Sequence, residues 1–158
     1  MRKSFYVMLC LVFSVCCFAQ KNAEKKFKFG LGPGYSIPVS RLKQDYNGNL
    51  GINLIGLYNV TENVAFFADA SGNLFRTKSG QDLDLNFPFI AGARFKYANF
   101  FAGLGLGYSI WIVNSDGFTY DVHLGYSLGS FNIVTHYTSS KDQTSSLAYF
   151  GLKLYYIF

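Results

Sequence analysis

Two histidines and the carboxylates near them are the residues of this sequence whose types and spacing could do chemistry. His123 follows Asp121 by two positions, His136 precedes Thr138 by two, and Gly129-Ser130 lies between the two stretches. Gly129-Ser130 suits a two-residue type II′ hairpin, because glycine accepts the positive φ of its first central position. That turn sets Leu128 opposite Phe131, so His123 is expected across from His136 and Asp121 across from Thr138. Two imidazoles and a carboxylate on one stretch of wall could bind a metal or change charge near neutral pH. Asp69 is expected on the same face, together with Asp84, Arg94, Lys96 and Lys153. Two histidines make an incomplete metal site, so a hydrogen-bonded plug of polar side chains is the preferred reading. Asp69, Asp121, His123 and His136 stand as the candidate polar cluster, with no metal and no cofactor expected.

His136-Tyr137-Thr138-Ser139 is similar to the His-x-Ser strand motif of the lipid A deacylases, which are eight-stranded outer-membrane barrels. Thr138 stands where the nucleophilic serine would be. The phasing also turns His136 inward, whereas attack on a membrane lipid needs an outward-facing site. The chain has no phosphate-binding glycine loop opening a helix, no zinc-protease helix and no serine elbow. A protein that is not an enzyme is expected, with a lipid-modifying enzyme as an alternative.

The elements that must position these residues show a period of two. From Phe100 to Val113 the even positions read Phe, Ala, Leu, Leu, Tyr, Ile, Ile, and the odd positions are mostly Gly or Ser. A helix would scatter both sets around its circumference and carry interior glycines at about 1 kcal/mol each relative to alanine. The same alternation recurs near 27–37, 50–60, 64–75, 84–97, 100–113, 118–128, 131–138 and 147–158, which predicts eight strands. Thr61-Glu62-Asn63, Tyr97-Ala98-Asn99 and Gly129-Ser130 are tight connections, whereas 38–49, 76–83, 114–117 and 139–146 are more polar and mostly longer. Short turns on one side and longer loops on the other predict an all-β, antiparallel, up-and-down transmembrane barrel of eight strands over 27–158.

A soluble periplasmic ligand-binding barrel has the same period with its apolar face inside, and is the architectural alternative. Three features argue against it. Glycines 30, 32, 34, 51, 103, 105, 107, 125 and 151 fall on the non-apolar face, which suits a narrow lumen. Only 21 of the 139 residues from 20 to 158 are Asp, Glu, Lys or Arg, against the roughly 25–35 % charged residues of a soluble surface. Third, the apolar face of every strand carries an aromatic at the end nearest the tight turns: Phe29, Tyr58, Phe66, Phe95 with Tyr97, Phe100, Tyr126, Phe131, and Tyr156 with Phe158. Rings gathered at one height are expected at a membrane interface.

Arg2 and Lys3, the apolar run from Phe5 to Val15 and small residues at Cys17 and Ala19 follow the plan of a secretory signal peptide, with cleavage expected after Ala19. A retained anchor and a lipoprotein are weaker readings, since the run is short and no small residue precedes Cys16 or Cys17. Cys10, Cys16 and Cys17 all lie in the removed segment, so disulfides and thiolate sites are excluded from the rest. Residues 20–26 form an expected periplasmic tail. From residue 20 onward 12 basic residues face 9 acidic ones, a net +3, and Lys21, Lys25, Lys26 and Lys28 against Glu24 account for it. A solvated terminus is preferred over a nucleic-acid patch.

The last segment alternates Ala148, Phe150, Leu152, Leu154, Tyr156 and Phe158 on one face and ends on phenylalanine. It resembles the terminal signal by which insertion machinery recognises outer-membrane barrels, with Tyr156 and Phe158 as its residues. With Gly-Leu-Gly-Pro-Gly-Tyr at 30–35, the chain resembles the small outer-membrane β-barrel families that include the OmpA transmembrane domain and OmpX. The resemblance implies the outer membrane of a Gram-negative bacterium, with outer-membrane lipid, lipopolysaccharide and the insertion machinery as partners and no nucleic acid. A structural or surface-interaction role, through loops at 41–49, 76–83 and 139–145, is the expected function. A narrow pore for small solutes is the alternative.

Overall fold

The computed structural model describes residues 26–40, 42–78, 83–112, 116–141 and 146–158. The expected signal peptide, residues 20–25 of the expected tail and the tips of three loops lie outside the described residues.

The chain folds into a closed antiparallel barrel in which every strand pairs with its sequence neighbours. The strands are β1 (Phe27–Ser40), β2 (Tyr46–Asn59), β3 (Val64–Thr77), β4 (Leu83–Tyr97), β5 (Phe100–Trp111), β6 (Gly117–Leu128), β7 (Phe131–Lys141) and β8 (Ser146–Ile157), with a short helix α1 (Leu42–Asp45) between β1 and β2. β1 closes the barrel on β8, where the Phe29 N–H donates to the Phe158 carbonyl and the Phe158 N–H to the Phe29 carbonyl. A closed sheet leaves no edge with unpaired backbone groups.

Alternation decides which side chains line the interior. In β5 the odd positions Phe101, Gly103, Gly105, Ser109 and Trp111 are buried, and the even positions, from Phe100 to Ile110, are exposed. The outward row of β2 is exposed through Leu50, Ile52 and Leu54, the first two at 67 %. The apolar face therefore points away from the barrel axis and the polar, glycine-rich face into it. A soluble carrier barrel would have the two reversed.

Turn chemistry sets the register. Gly129 has φ of 61°, the positive value required at the first position of a type II′ turn, and Leu128 pairs with Phe131 across it. Ala98 takes the same left-handed region with φ of 52°. Between β2 and β3 the Thr61 hydroxyl accepts the Asn63 and Val64 N–H groups at 3.2 and 3.0 Å.

All strands but β5 run further toward the loop end than the alternation indicates, whereas β5, expected over 100–113, already ends at Trp111, whose N–H donates to Asp116 Oδ1 at 2.7 Å. β1 reaches Ser40, β2 starts at Tyr46, β3 ends at Thr77 and β7 at Lys141. The connections expected at 38–49, 76–83 and 139–146 are correspondingly shorter, and much of each is ladder, with Arg76 paired to Leu83 and Lys141 to Ser146. The cause is physical. Above the apolar belt an outward residue no longer needs to be apolar, so pairing continues after the hydrophobic alternation has stopped. Ala148, expected on the outward face, is buried at this end, where α1 lies against β1 and β8.

Candidate functional site

The inward side chains stack in layers along the barrel axis. At the turn end Ile55, Leu57, Phe67, Ile90, Phe101, Val134 and Tyr155 form one apolar cluster. At the loop end Tyr46, Phe75, Trp111, Leu147 and Tyr149 form another, with the Phe75 ring 5.0 Å from that of Trp111 and 5.6 Å from that of Tyr149. The buried polar residues pack between and among them, with the Tyr46 hydroxyl donating to Asp84 Oδ2 at 2.8 Å in the loop-end cluster.

Part of that polar layer is a ring of hydroxyls. Thr119 Oγ1 stands 2.8 Å from Ser109 Oγ and 2.7 Å from Ser140 Oγ, and the two serines are 3.1 Å apart. These residues come from β5, β6 and β7, which are neighbours in the sheet.

The charged groups form two linked nests. In the first, Lys153 Nζ donates to Asp69 Oδ1 at 3.1 Å and Oδ2 at 3.2 Å. Ser71 Oγ is 2.6 Å from Asp69 Oδ1, and the Tyr155 hydroxyl donates to Asp69 Oδ2. Ser71 Oγ also stands 2.8 Å from Asn53 Oδ1, which ties β2 to the nest. In the second, Asp121 Oδ1 lies 2.8 Å from His123 Nδ1, and the Thr138 hydroxyl donates to Asp121 Oδ2 at 2.7 Å. His136 Nδ1 is 3.0 Å from Thr138 Oγ1, and its Nε2 is 3.2 Å from Ser36 Oγ. Arg94 Nε donates to His123 Nε2 at 3.3 Å, with its guanidinium carbon 4.0 Å from the centre of the Phe101 ring.

These contacts place a proton on Nδ1 of both rings. Arg94 can only donate, so His123 Nε2 must accept, and its proton sits on Nδ1 facing Asp121. Thr138 gives its single proton to a carboxylate that can only accept, so its oxygen accepts from His136 Nδ1–H. His136 Nε2 is then taken up by the Ser36 hydroxyl, with either atom able to donate. Every ring nitrogen of the two histidines therefore already has a protein partner. Metal binding would require His123 to give up Arg94 and His136 to give up Ser36. Among the described residues no group of three or more His, Cys, Asp or Glu side chains is placed to hold a metal ion.

Glycine makes the room. His123 pairs across the ladder with Gly103 and His136 with Gly151. A Cβ on Gly103 would stand 2.3 Å from His123 Nε2, and one on Gly151 would stand 2.1 Å from Ser36 Oγ. The interior of this barrel is so narrow that the His123 ring needs Gly103 opposite it, while Gly151 leaves the space that the Ser36 hydroxyl occupies beside His136.

The register sets His123 opposite His136 and Asp121 opposite Thr138. The two rings are linked through Asp121 and Thr138 rather than by direct contact. Asp69, Asp84, Arg94, Asp121, His123, His136 and Lys153 are all buried in the lumen, whereas Lys96 is half-buried at the turn rim and donates to Asn59 Oδ1. Asp69 does not join the histidine nest but forms its own with Lys153. Sequence reasoning did not single out Ser36, Asn53, Ser71 or Tyr155. Strand parity placed them inward, but which of them meet depends on how eight strands wrap around one axis.

Between the nests is a cavity of about 10 Å³ lined by Asp69, Arg94, Asp121, His123, His136, Lys153 and Tyr155 with four apolar neighbours. That is about the space of one water. Ser36, His136 and Asp121 have the residue types of a hydrolytic triad, with His136 Nδ1 3.6 Å from Asp121 Oδ2. They are sealed at 3 %, 2 % and 5 % exposure. Among the described residues, the cavity beside His136 is only about 10 Å³, and His136 and Thr138 face away from the outer surface where a lipid would lie.

No family model and no curated protein matches the sequence. The backbone does match solved barrels. Ail of Yersinia pestis in a phospholipid bilayer nanodisc is 16 % identical with a TM-score of 0.60, over 83 % of this chain and 99 % of that one. Neisserial surface protein A is 12 % identical with a TM-score of 0.53, over 84 % and 96 %. A de novo designed transmembrane β-barrel is 11 % identical with a TM-score of 0.53, over 87 % and 98 %. The likeness is one of fold. This chain has the closed, eight-stranded, up-and-down architecture of small outer-membrane barrels.

Proposed function

We propose that this chain is an outer-membrane β-barrel of a Gram-negative bacterium, with a structural or surface-interaction role and no catalytic one. The observation that carries the reading is the inverted arrangement of the wall. Outward rows are apolar on every strand and ringed by aromatics at the turn end, while Asp, Lys, Arg and His are buried inside. Large exposed apolar surface of this extent needs a bilayer to cover it. Strands of 11 to 15 residues exceed the roughly 9–11 needed to cross one.

The sealed lumen favours this role over a pore, because apolar clusters close both ends of a layer with space for about one water. The buried and already paired Ser36, His136 and Asp121 favour it over a lipid-modifying enzyme. What is left to act on the surroundings is the loop end, whose exposed Lys43, Arg76, Lys78 and Lys141 would meet the phosphates of lipopolysaccharide or an external partner. Barrels with this fold include one named the attachment invasion locus protein and one named a surface protein, which is in keeping with such a role. Tyr156 and Phe158, both outward on the last strand, would be read by the insertion machinery.

Fractionation of cells with a boiled and an unboiled gel of the membrane pellet tests the proposal. The protein is expected in the outer-membrane fraction, with faster mobility before boiling. Recovery from the soluble periplasm would overturn it.

A further inference from the structure

The outer wall is not uniformly convex. Near the turn end of β4 to β7 it carries a groove of about 480 Å³, lined by Phe95, Tyr97, Phe100, Leu124, Tyr126 and Ile133 and floored by Ala102, Gly125 and Thr135. The register explains it. Phe95, Ala102, Leu124 and Thr135 stand in one outward row across four strands, and Tyr97, Phe100, Tyr126 and Ile133 in the next row toward the turns. Ala102 and Thr135 are the short members of their row, so the surface sinks between tall neighbours. The one polar side chain of the floor is satisfied internally, since Thr135 Oγ1 donates to the Leu124 carbonyl at 3.2 Å. The trough offers an apolar occupant no unpaired polar side chain.

The turn end of the groove is different. Tyr97 is 75 % exposed, and its hydroxyl has no partner among the described residues. The Tyr126 hydroxyl accepts from Asn99 Nδ2 at 3.3 Å, which leaves its own proton free to donate. An apolar trough ending in two free phenol donors complements an amphiphile with one chain along the trough and an acceptor-rich head beyond it. We propose that this groove binds one phospholipid of the periplasm-facing leaflet, with an acyl chain over Ala102 and Thr135 and its ester or phosphate oxygens accepting from Tyr97 and Tyr126. Lipopolysaccharide is excluded as the source because the groove lies at the turn end, opposite the loops. The inference rests on the reading of the chain as an outer-membrane barrel.

Native mass spectrometry of the detergent-purified full-length protein, titrated with phosphatidylethanolamine, tests it. One lipid per barrel is expected to survive, and Ala102→Leu with Thr135→Leu, which fills the groove, to weaken retention about tenfold or more, which corresponds to 1.4 kcal/mol. Tyr97→Phe with Tyr126→Phe keeps the trough and is expected to weaken retention less. Ala68→Leu, an outward residue outside the groove, is expected to change nothing. Equal retention by the filled variant, no retained lipid on a barrel that still shows heat-dependent mobility, or a mass of two chains in place of the lipid adduct would each overturn the lipid site while leaving the barrel reading intact. Soluble protein without that mobility shift would overturn both.

Discussion

Replacing Lys153 with methionine removes the cation of the Asp69 nest and leaves the shape of the stem nearly unchanged. Asp69 keeps two neutral donors, Tyr155 and Ser71, but loses the charge that contacts both of its oxygens at 3.1 and 3.2 Å. No bulk water can replace it, because the adjoining cavity is about 10 Å³. Breaking a buried pair by removing one partner costs about 3–5 kcal/mol. The two remaining donors place Lys153→Met near the lower end, about 3 kcal/mol, or roughly a hundredfold in the folding equilibrium. Asp69→Asn alone strands the lysine and is expected to cost a similar amount. The double variant has no unpaired charge, and its asparagine carbonyl oxygen still accepts from Tyr155, so it is expected within about 1 kcal/mol of the parent. The coupling energy of the cycle is then about 5–7 kcal/mol in magnitude. Reversible denaturant unfolding in lipid vesicles measures it, followed by the single tryptophan, Trp111, which is buried at 4 % exposure in the loop-end cluster. A single-variant loss below about 1 kcal/mol, or a double variant no better than either single, would refute the claim that the nest is a sealed, mutually satisfied pair.

Gly103→Ala is expected to destabilise by about 1–3 kcal/mol, because its Cβ falls 2.3 Å from an imidazole held by Asp121 and Arg94; the same unfolding assay reads it. Ala98→Gly is expected to raise stability by up to about 1 kcal/mol, since it relieves a left-handed alanine at the β4–β5 turn and loses part of that gain to backbone entropy; a lower midpoint would contradict it. Planar-bilayer recordings of the purified barrel are expected to be silent, and steady single-channel steps would show that the aromatic cluster at the loop end does not seal the lumen. Deleting Phe158 is expected to lower the amount of inserted, heat-modifiable protein in cells, because it removes the last ring of the β8 face and the backbone pairing with Phe29.

The strands were legible because a bilayer-type barrel keeps apolar residues at every second position, with mostly small or polar ones between them apart from the two inward clusters. Gly129-Ser130 added the register of β6 on β7, and with it the His123–His136 opposition, since a two-residue turn leaves one pairing open. Legibility failed at the loop end. Ser139, Ser140 and Arg76 are in the ladder without any hydrophobic pattern to mark them, because the outward face there is no longer selected to be apolar.

The sequence by itself thus determined the strand number, the order, the inward face and the pair of histidines that share a rung. Only the closed structure decided that His123 meets Arg94 from β4, that His136 meets Ser36 from β1, and that Asp69 from β3 meets Lys153 and Tyr155 from β8. The reason is geometric. Alternation and turns act between positions close in the chain, whereas contacts across the lumen depend on strand tilt and barrel radius, which arise only when β1 closes on β8.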